Sequence, residues 1–383
     1  MEASPDGISH PPTDRDEGNQ AMTNPGRLRY SRDELLAEPE YARRIERNGV
    51  LLHGGYDADG AYLPPRSLHR IPAIDAWSAE LAAAGHATRV IDVEAVDRAF
   101  VPNTEQAKLL LRSGATGAMT RILTLIGVVE GFGNDGIKLI PPMDLQALIV
   151  EPIDDTCLGH LFTGLLEAHG NDEAGRAPEA GHDQMWFAVR DAALADPPVT
   201  MDMFENLPIT PPPGYGGPAR PAPEAITVGG MLDGLRDDVA PELQLLVRAM
   251  VQILVIELLA YHTFAWASDV LGDPTCSADA EFARATIDHI RTDEDIHVAY
   301  LQCGLAELAT MTVRTTNGGT VAGADLVVAA CRAALDNQTG ARFDRILDYR
   351  LAQVRAELAA HPDSERLTAD FDALATEPTA AQA

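Results

Sequence analysis

Glu257 has the strongest chemical implication in this chain, because it lies in the middle of a stretch that is apolar on all sides. The stretch, 245–266, reads LLVRAMVQILVIELLAYHTFAW. A helix that is apolar on every face is typical of the middle of a bundle. An ionised carboxylate buried there costs several kcal/mol unless a partner or a metal ion offsets the lost hydration. We therefore expect Glu257 to contact a cation.

The stretch 280–310 supplies side chains that can hold such a cation. Glu294 and His297 are three residues apart, about 60° around a helix, so they share a face. A break at 272–277 separates the two stretches and predicts an antiparallel helical hairpin. Because the midpoint between 257 and 294 falls inside this break, Glu257 and Glu294 are expected at the same height on facing helices. Glu257, Glu294 and His297 are the candidate catalytic residues and form half of a two-metal site.

The other half of the site is predicted before residue 209. Glu179 and His182 repeat the Glu-x-x-His spacing, and Glu167 lies opposite Glu179 across a break at 170–178. The predicted metal ligands are Glu167, Glu179, His182, Glu257, Glu294 and His297. Glu167 and Glu179 lie much closer to the loop between their helices than Glu257 lies to the loop of its own hairpin. Several substitute ligands for this half of the site therefore stay open. These are Glu151, Asp155 and His160 on the preceding helix, and His289 and Asp293 as a further ligand or as a carboxylate orienting His297.

Four further polar residues near these positions are not predicted as metal ligands. Tyr261 lies on the Glu257 face of its helix and can hydrogen-bond the Glu257 carboxylate, whereas His262 is expected to pack. His169 and Asp191 are either partners of the ligands or plain surface residues, and we favour the surface interpretation.

Taken together, the six predicted ligands resemble those of the ferritin-like di-iron carboxylate superfamily. In that family two helical hairpins joined by a crossover give Glu, Glu-x-x-His, Glu, Glu-x-x-His in this order. The resemblance covers about 103–313 and implies two Fe ions, with Mn or a mixed Fe/Mn pair as alternatives. The helix with His289, Asp293 and His297 also resembles the haem-oxygenase-like di-iron enzymes and the arylamine N-oxygenases, with the spacing shifted by one residue.

Three functions are compatible with these residues. The first is a non-haem di-iron oxidase or oxygenase that activates O2 on a small organic substrate. The second is a ferritin-like iron or metal storage or scaffold protein. The third is a metal-free helical bundle in which the Glu and His residues pair with Arg121, Arg248 or Arg291. The length of the chain and its Pro-rich segment favour the enzyme.

The composition of the chain limits the classes of partner that it can bind and the cellular compartment that we expect. The chain has 383 residues and a net charge of −29, from 29 Lys and Arg against 58 Asp and Glu, which argues against binding nucleic acid or anionic membranes. Its four cysteines have no Cys-x-x-Cys spacing, and the N-terminus lacks the pattern of a signal peptide. Polar residues interrupt 245–266, so we expect a buried soluble helix. We expect a cytoplasmic protein, possible as a homodimer, with a small-molecule substrate and O2 as its partners.

The predicted elements give a mainly α fold: a ferritin-like helical bundle with a small mixed α/β N-terminal cap and extra C-terminal helices. The domain prediction is a disordered tail at 1–29, the cap at 30–102, the bundle at 103–313 with a Pro-rich crossover or lid at 209–225, C-terminal helices at 314–374 and a tail at 375–383. Strands are expected at 50–53 and 87–93, and helices at 73–84, 103–130, 142–169, 177–195, 241–271, 279–313, 326–335 and 340–360.

Overall fold

A computed structural model describes residues 27–96, 100–131, 137, 140–200, 203 and 235–375 of the chain. The protein is mainly helical, with two small antiparallel sheets. This confirms the mainly α prediction, while the ferritin-like bundle stays a prediction. The Pro-rich segment at 209–225 and most of both predicted tails lie outside the described residues.

The N-terminal part contains a three-stranded sheet. Its elements are α1 (Arg32–Leu35), β1 (Arg43–Arg47), β2 (Val50–Tyr56), β3 (Tyr62–Leu63), α2 (Arg70–Ala83) and a 3₁₀ turn (Val93–Val96). The order β1-β2-β3 is antiparallel throughout. The strand predicted at 50–53 and the helix predicted at 73–84 are confirmed. The strand predicted at 87–93 is wrong, because this segment runs through turns and bends whose main chain is held by the Gln302 side chain.

The middle part is made of shorter helices than the sequence predicts. They are α3 (Thr104–Arg112), α4 (Gly117–Glu130), α5 (Leu145–Leu148), α6 (Cys157–His160), a π-helical turn (Leu161–Leu165), α7 (Leu166–Ala174) and α8 (His182–Ala193). The helix predicted at 103–130 is interrupted at Gly114, whose φ of 82° is outside the helical range. The helix predicted at 142–169 is likewise divided into several pieces. The helix predicted at 177–195 begins only at His182, after a turn.

Two long helices form the centre of the fold, as the sequence predicts. They are α9 (Pro241–Leu271), which begins with proline at its first position, and α10 (Ala280–Thr310), which Asp279 caps by accepting the N–H of Phe282. They pack against each other more extensively than any other pair of described elements. By length and composition α9 could cross a membrane, but its apolar window is mostly buried inside the protein. It therefore has the burial of a core helix.

The C-terminal part adds a hairpin and three helices. They are β4 (Thr312–Arg314), β5 (Thr320–Ala322), α11 (Gly323–Thr339), α12 (Ala341–Ala360) and α13 (Ser364–Leu374). The helix predicted at 326–335 is confirmed with longer bounds and the one predicted at 340–360 to within one residue, whereas the hairpin and α13 were not predicted. Helix α11 packs along α9 and α10, so it closes one side of the central pair.

The hydrophobic core is divided into two clusters, and the middle of the central pair lies between them. Residues 243–258 of α9 and 296–308 of α10 contribute to the first cluster. Residues 264–271 of α9 and 283–290 of α10 contribute to the second. Glu257, Glu294 and His297 therefore lie near the junction of two apolar regions, where lost hydration must be offset by partners inside the protein.

A tight turn between α7 and α8 is expected to be sensitive to a single methyl group. A Cβ added at Gly181 would lie 2.2 Å from the main-chain N of Gly175 and 2.6 Å from the main-chain O of Glu173. These are backbone atoms and cannot rotate away, so Gly181→Ala should destabilise the protein by about 1–3 kcal/mol. Denaturant unfolding measures this difference. Gly319→Ala, whose nearest neighbours are side-chain atoms of an exposed loop, serves as control, and equal stability of the two variants would contradict the prediction.

Candidate metal centre

Seven buried side chains from five helices meet in the core. We call them the carboxylate–histidine cluster: Glu130 of α4, His169 and Glu173 of α7, His182 of α8, Glu257 of α9, and Glu294 and His297 of α10. Glu130 and Glu257 retain 9% and 6% exposure, whereas the other five retain 3% or less. The small exposure that the cluster retains therefore belongs mainly to Glu130 and Glu257.

The donor atoms of the cluster fall into two overlapping groups. His169, Glu173, Glu257 and His297 form one, and Glu173, His182, Glu294 and His297 form the other, with all ligand atoms in each group within 4.8 Å of one another. Glu130 adjoins the second group, with its Oε2 3.9 Å from His182 Nδ1. Because Glu173 belongs to both groups, it can bridge two cations. These buried groups could hold a metal.

Glu173 is the geometric centre of the cluster. Its Oε1 lies 3.4 Å from His169 Nε2, 3.3 Å from His182 Nδ1 and 3.3 Å from His297 Nδ1. His169 and Glu173 are one turn apart on α7, so they share a face. The His169 and His297 rings stack with centroids 3.7 Å apart, which aligns α7 with α10.

The turn between α7 and α8 places His182 beside Glu173. Gly175 ends α7 with a φ of 76°, a conformation that glycine adopts without steric cost. The main chain of Ala180 then pairs with β2, donating to Leu51 O at 2.9 Å and accepting from His53 N at 3.1 Å. Helix α8 starts two residues later. One backbone contact therefore fixes His182 in the cluster and His53 next to it, with ring centroids 5.0 Å apart.

Each imidazole in the cluster is held from behind by a second polar group. His297 Nε2 bonds Asp172 Oδ2 at 3.0 Å, and His182 Nε2 bonds Asp293 Oδ2 at 3.3 Å. His169 Nδ1 bonds the hydroxyl of Tyr300 at 2.8 Å. The opposite nitrogen of every ring faces the carboxylates. This is the arrangement of metal-binding histidines, in which an outer partner fixes the tautomer and orientation of the ring.

The two outer aspartates are held by groups from the N-terminal part. Asp172 forms ion pairs with the buried guanidinium groups of Arg66 and Arg70. Asp293 accepts hydrogen bonds at Oδ2 from Tyr62 OH at 2.9 Å and from His53 Nε2 at 3.0 Å. Burial would raise the pKa of both carboxyl groups, but their cationic and hydrogen-bonding partners outweigh it and lower the pKa. Both aspartates are therefore anionic at neutral pH and accept from the imidazoles.

Several cluster atoms that point inward have no hydrogen-bond partner among the residues that the structure describes. They are His169 Nε2, His182 Nδ1, Glu173 Oε1 and Glu294 Oε1. Glu257 Oε1 lies only 3.1 Å from His169 Nε2, and Glu294 Oε1 only 2.9 Å from His182 Nδ1, yet neither contact has hydrogen-bond geometry. One inward nitrogen does pair, because His297 Nδ1 lies 2.6 Å from Glu294 Oε2 in a hydrogen bond. The four unpartnered atoms lie close to one another inside the cluster, and since unpartnered buried polar atoms are costly, this donor set fits metal ions.

Without metal, protons must balance the charge of the cluster. Burial and the charge of Glu294 raise the pKa of Glu130 and Glu257 well above the usual range. Burial alone would lower the pKa of His182 and His297, but Glu294, Glu173 and the outer aspartates together outweigh it and raise both pKa values. Glu294 itself has a pKa of about 2, because the two histidines outweigh burial and the Glu173 charge. The raised pKa values favour the protonated forms of Glu130, Glu257, His182 and His297 in the metal-free cluster.

The structure brings together four of the six predicted ligands: His182, Glu257, Glu294 and His297. It does not bring in the other two. Glu167 lies on the surface and forms an ion pair with Arg32, and Glu179 forms one with Arg44. The physical reason is that α8 begins at His182, so Glu179 lies in the preceding turn and does not share a helical face with it.

The substitutes also lie elsewhere. Glu151 accepts the N–H of Thr312, Asp155 pairs with Arg29, and His160 accepts the N–H of Tyr30. His289 stacks on the Tyr62 ring with centroids 4.1 Å apart. Asp293 is an outer partner, as one alternative proposed, but it orients His182 rather than His297.

Two neighbouring assignments differ from the structure. Tyr261 donates to Asp295 Oδ1 at 2.7 Å and not to Glu257. His169 is fully buried in the cluster, so the surface interpretation of this residue is wrong. Asp191 is partly exposed and pairs with Arg190, which agrees with a surface role.

Sequence reasoning missed Glu130, His169 and Glu173 as members of the cluster. Gly170 suggested that the helix stops there, whereas α7 continues to Ala174. The spacing of His169 and Glu173, four residues apart, was the available signal. Glu130 ends the apolar run ILTLIGVVE, and a carboxylate after such a run carries the same signal as Glu257.

Comparisons with protein-family models, with curated proteins and with solved structures gave no match. The resemblance to the di-iron families therefore rests on the side chains of this chain alone. Functional reasoning starts from the geometry of the cluster.

Metal uptake should release protons and become stronger with increasing pH. Divalent cations bound in the cluster would displace the protons that the raised pKa values favour on Glu130, Glu257, His182 and His297. Calorimetric titration with Fe²⁺ or Mn²⁺ under anaerobic conditions, in buffers of different ionisation enthalpy, counts them. Proton release near zero would contradict this assignment of charges.

The stability of the metal-free protein should instead decrease as the pH rises. The folded pKa values of His182 and His297 lie above the ordinary 6.5, so their stabilising contribution is complete below pH 6.5 and is lost as the pH rises through the folded values. The melting temperature of metal-free protein should therefore fall above pH 6.5, while the increase caused by metal should grow.

Proposed function

We propose that the carboxylate–histidine cluster binds two iron ions and that the protein is a non-haem di-iron oxidase or oxygenase. The observation that carries the proposal is the convergence of unpartnered donor atoms from Glu173, His169, His182 and Glu294 in a buried site. A pair of carboxylate-bound iron ions reacts with dioxygen and can oxidise an organic substrate. The four cluster glutamates carry four negative charges when ionised, which two divalent cations neutralise.

The residues divide naturally between two cations. His169 and Glu257 would hold one, and His182, Glu294 and Glu130 would hold the other. Glu173 would be shared, and His297 is within reach of both groups. The donors are carboxylates and imidazoles, which suit iron and manganese, and no thiol belongs to the cluster. A manganese or mixed pair uses the same residues.

The outer residues would keep the site rigid and anionic. Asp172 and Asp293 fix the rings of His297 and His182, so the chain does not reorganise when a cation is bound or oxidised. Arg66 and Arg70 prevent Asp172 from taking up a proton. Glu130 and Glu257 keep the remaining exposure of the cluster, so dioxygen and substrate would approach beside one of these two residues.

The cluster supports an enzyme better than the two alternatives. A storage protein accumulates many cations per chain, whereas seven donors arranged around a shared carboxylate are sized for two. In a metal-free bundle the inward atoms would find partners, and four of them have none within the described residues. The four cysteines are free thiols, which supports a cytoplasmic location. A small organic substrate and O2 are the proposed partners, and a homodimer remains compatible.

The first test compares glutamates that the sequence does not distinguish but the structure does. Glu173→Gln and Glu257→Gln should lower the iron content from about two per chain, because each removes a charged donor from a buried site. Glu167→Gln is the matched control, since Glu167 lies on the surface with Arg32, and should retain all of the iron. Metal analysis after anaerobic loading measures this. Equal iron content in the three variants would place the metal elsewhere.

A second test separates the enzyme from a store. Anaerobic loading with Fe²⁺ followed by O2 should give a transient visible absorption and an end point near two irons per chain, because the cluster has donors for two cations. Glu257→Gln should remove the transient, and Glu167→Gln should keep it. Stopped-flow absorption and iron analysis give both quantities. Uptake of many tens of irons per chain would favour storage, and the absence of any reaction would favour the metal-free bundle.

A further inference from the structure

A pair of buried thiols lies outside the carboxylate–histidine cluster. Cys303 is six residues after His297 on α10, and Cys157 is the first residue of α6. Both are free and have no exposed surface. Their Sγ atoms and a carboxylate oxygen of Glu307 all lie within 4.8 Å of one another. The two sulfur atoms are therefore near neighbours without being bonded.

Tyr300 connects this pair to the cluster. The Cys157 thiol donates to the main-chain O of Tyr300 at 3.4 Å. At its other end, the Tyr300 hydroxyl is hydrogen-bonded to His169 Nδ1 at 2.8 Å. His169 turns its second nitrogen towards Glu173 and Glu257. A path from sulfur to the metal-facing nitrogen thus runs from the main-chain carbonyl of Tyr300 along its side chain to the hydroxyl, and then through the imidazole of His169.

Glu307 provides a proton acceptor next to the thiols. Its carboxylate accepts the N–H groups of Cys157 at 2.9 Å and Leu158 at 2.7 Å, at the start of α6. The Cys303 thiol points to the same oxygen at 4.0 Å. Burial raises the pKa of Glu307 to about 7, because the two N–H groups only partly offset the lost hydration. Glu307 can therefore gain or lose a proton near neutral pH.

We propose that Cys157 and Cys303 are an internal two-electron donor, which Tyr300 connects to the metal centre and which is used when dioxygen reacts in the absence of substrate. This inference rests on the proposed function. The surroundings of the thiols favour an intramolecular route, because a fully buried pair is shielded from oxidants in solution. Tyr300 contacts a metal-facing histidine through its hydroxyl and a thiol through its main-chain carbonyl, so this one residue spans the distance between the cluster and the sulfur atoms.

The chemistry balances with dioxygen as the oxidant. The two S–H bonds break and one S–S bond forms, which requires the sulfur atoms to close to about 2.05 Å. Two electrons pass through Tyr300 to dioxygen at the cluster, and two protons leave the thiols, the first to Glu307. The products are one Cys157–Cys303 disulfide and one hydrogen peroxide.

The test follows the disulfide and not the turnover of a substrate. The full chain is loaded with Fe²⁺ under anaerobic conditions, exposed to O2, alkylated and analysed by peptide mass spectrometry, with iron content and O2 consumption measured on the same samples. The expected result is a Cys157–Cys303 disulfide in iron-loaded protein only, with metal-free and Zn²⁺-loaded chains retaining both thiols. Tyr300→Phe, compared at equal iron content, should lose the disulfide, because it lacks the hydroxyl that contacts His169.

The other two cysteines of the chain serve as matched controls. Cys276 and Cys331 lie outside the pair, so Cys276→Ser and Cys331→Ser should form the disulfide as the unchanged chain does. A disulfide that forms equally in metal-free protein, or equally in Tyr300→Phe, would overturn the inference. Iron binding and O2 consumption with intact thiols would also overturn it while leaving the proposed function standing. A chain that binds no iron would reject both.

Discussion

The cost of burying four glutamates in one place determines much of this structure. Glu130, Glu173, Glu257 and Glu294 lose nearly all their hydration in the core, and carboxylates this close cannot all be ionised without cations among them. Protons on histidines and glutamates meet that need in the absence of metal, and two divalent cations meet it with better geometry. The helices, the tight turn and the outer aspartates can each be understood as parts that keep this charge arrangement in place.

The central pair was predictable because its signals are local. Three features determine the pairing and the register of these helices. They are an apolar run of helical length, a break with Gly272 and Pro274, and Glu-x-x-His at a symmetric distance from that break. The same reasoning failed for the first half of the site. There the helices are short, and Gly170 lies inside a helix rather than at its end. A glycine is a weak stop signal where tertiary packing holds the helix, and sequence spacing alone does not reveal such packing.

The outer residues show a different limit of sequence reasoning. Arg66, Arg70, Tyr62 and His53 lie in a part of the chain whose sequence suggests only a small mixed cap. Their role arises from contacts with residues more than a hundred positions away, such as Asp172 and Asp293. No periodicity in the sequence records such pairings. The sheet therefore helps to hold the histidines of the cluster in position and is not a separate cap.

The pairing of Ala180 with β2 has a consequence for how the chain reaches its native state. This contact joins strands of main chain about 130 residues apart, and it sets His182 in position only after β2 has formed. Contacts so distant in sequence form late, because the loop must close before any favourable interaction is gained. A newly made chain should thus assemble the α9 and α10 hairpin early and hold Glu257, Glu294 and His297 on an open face. Docking of the amino-terminal sheet would then close the core over these residues, either before or after the proposed metal binding.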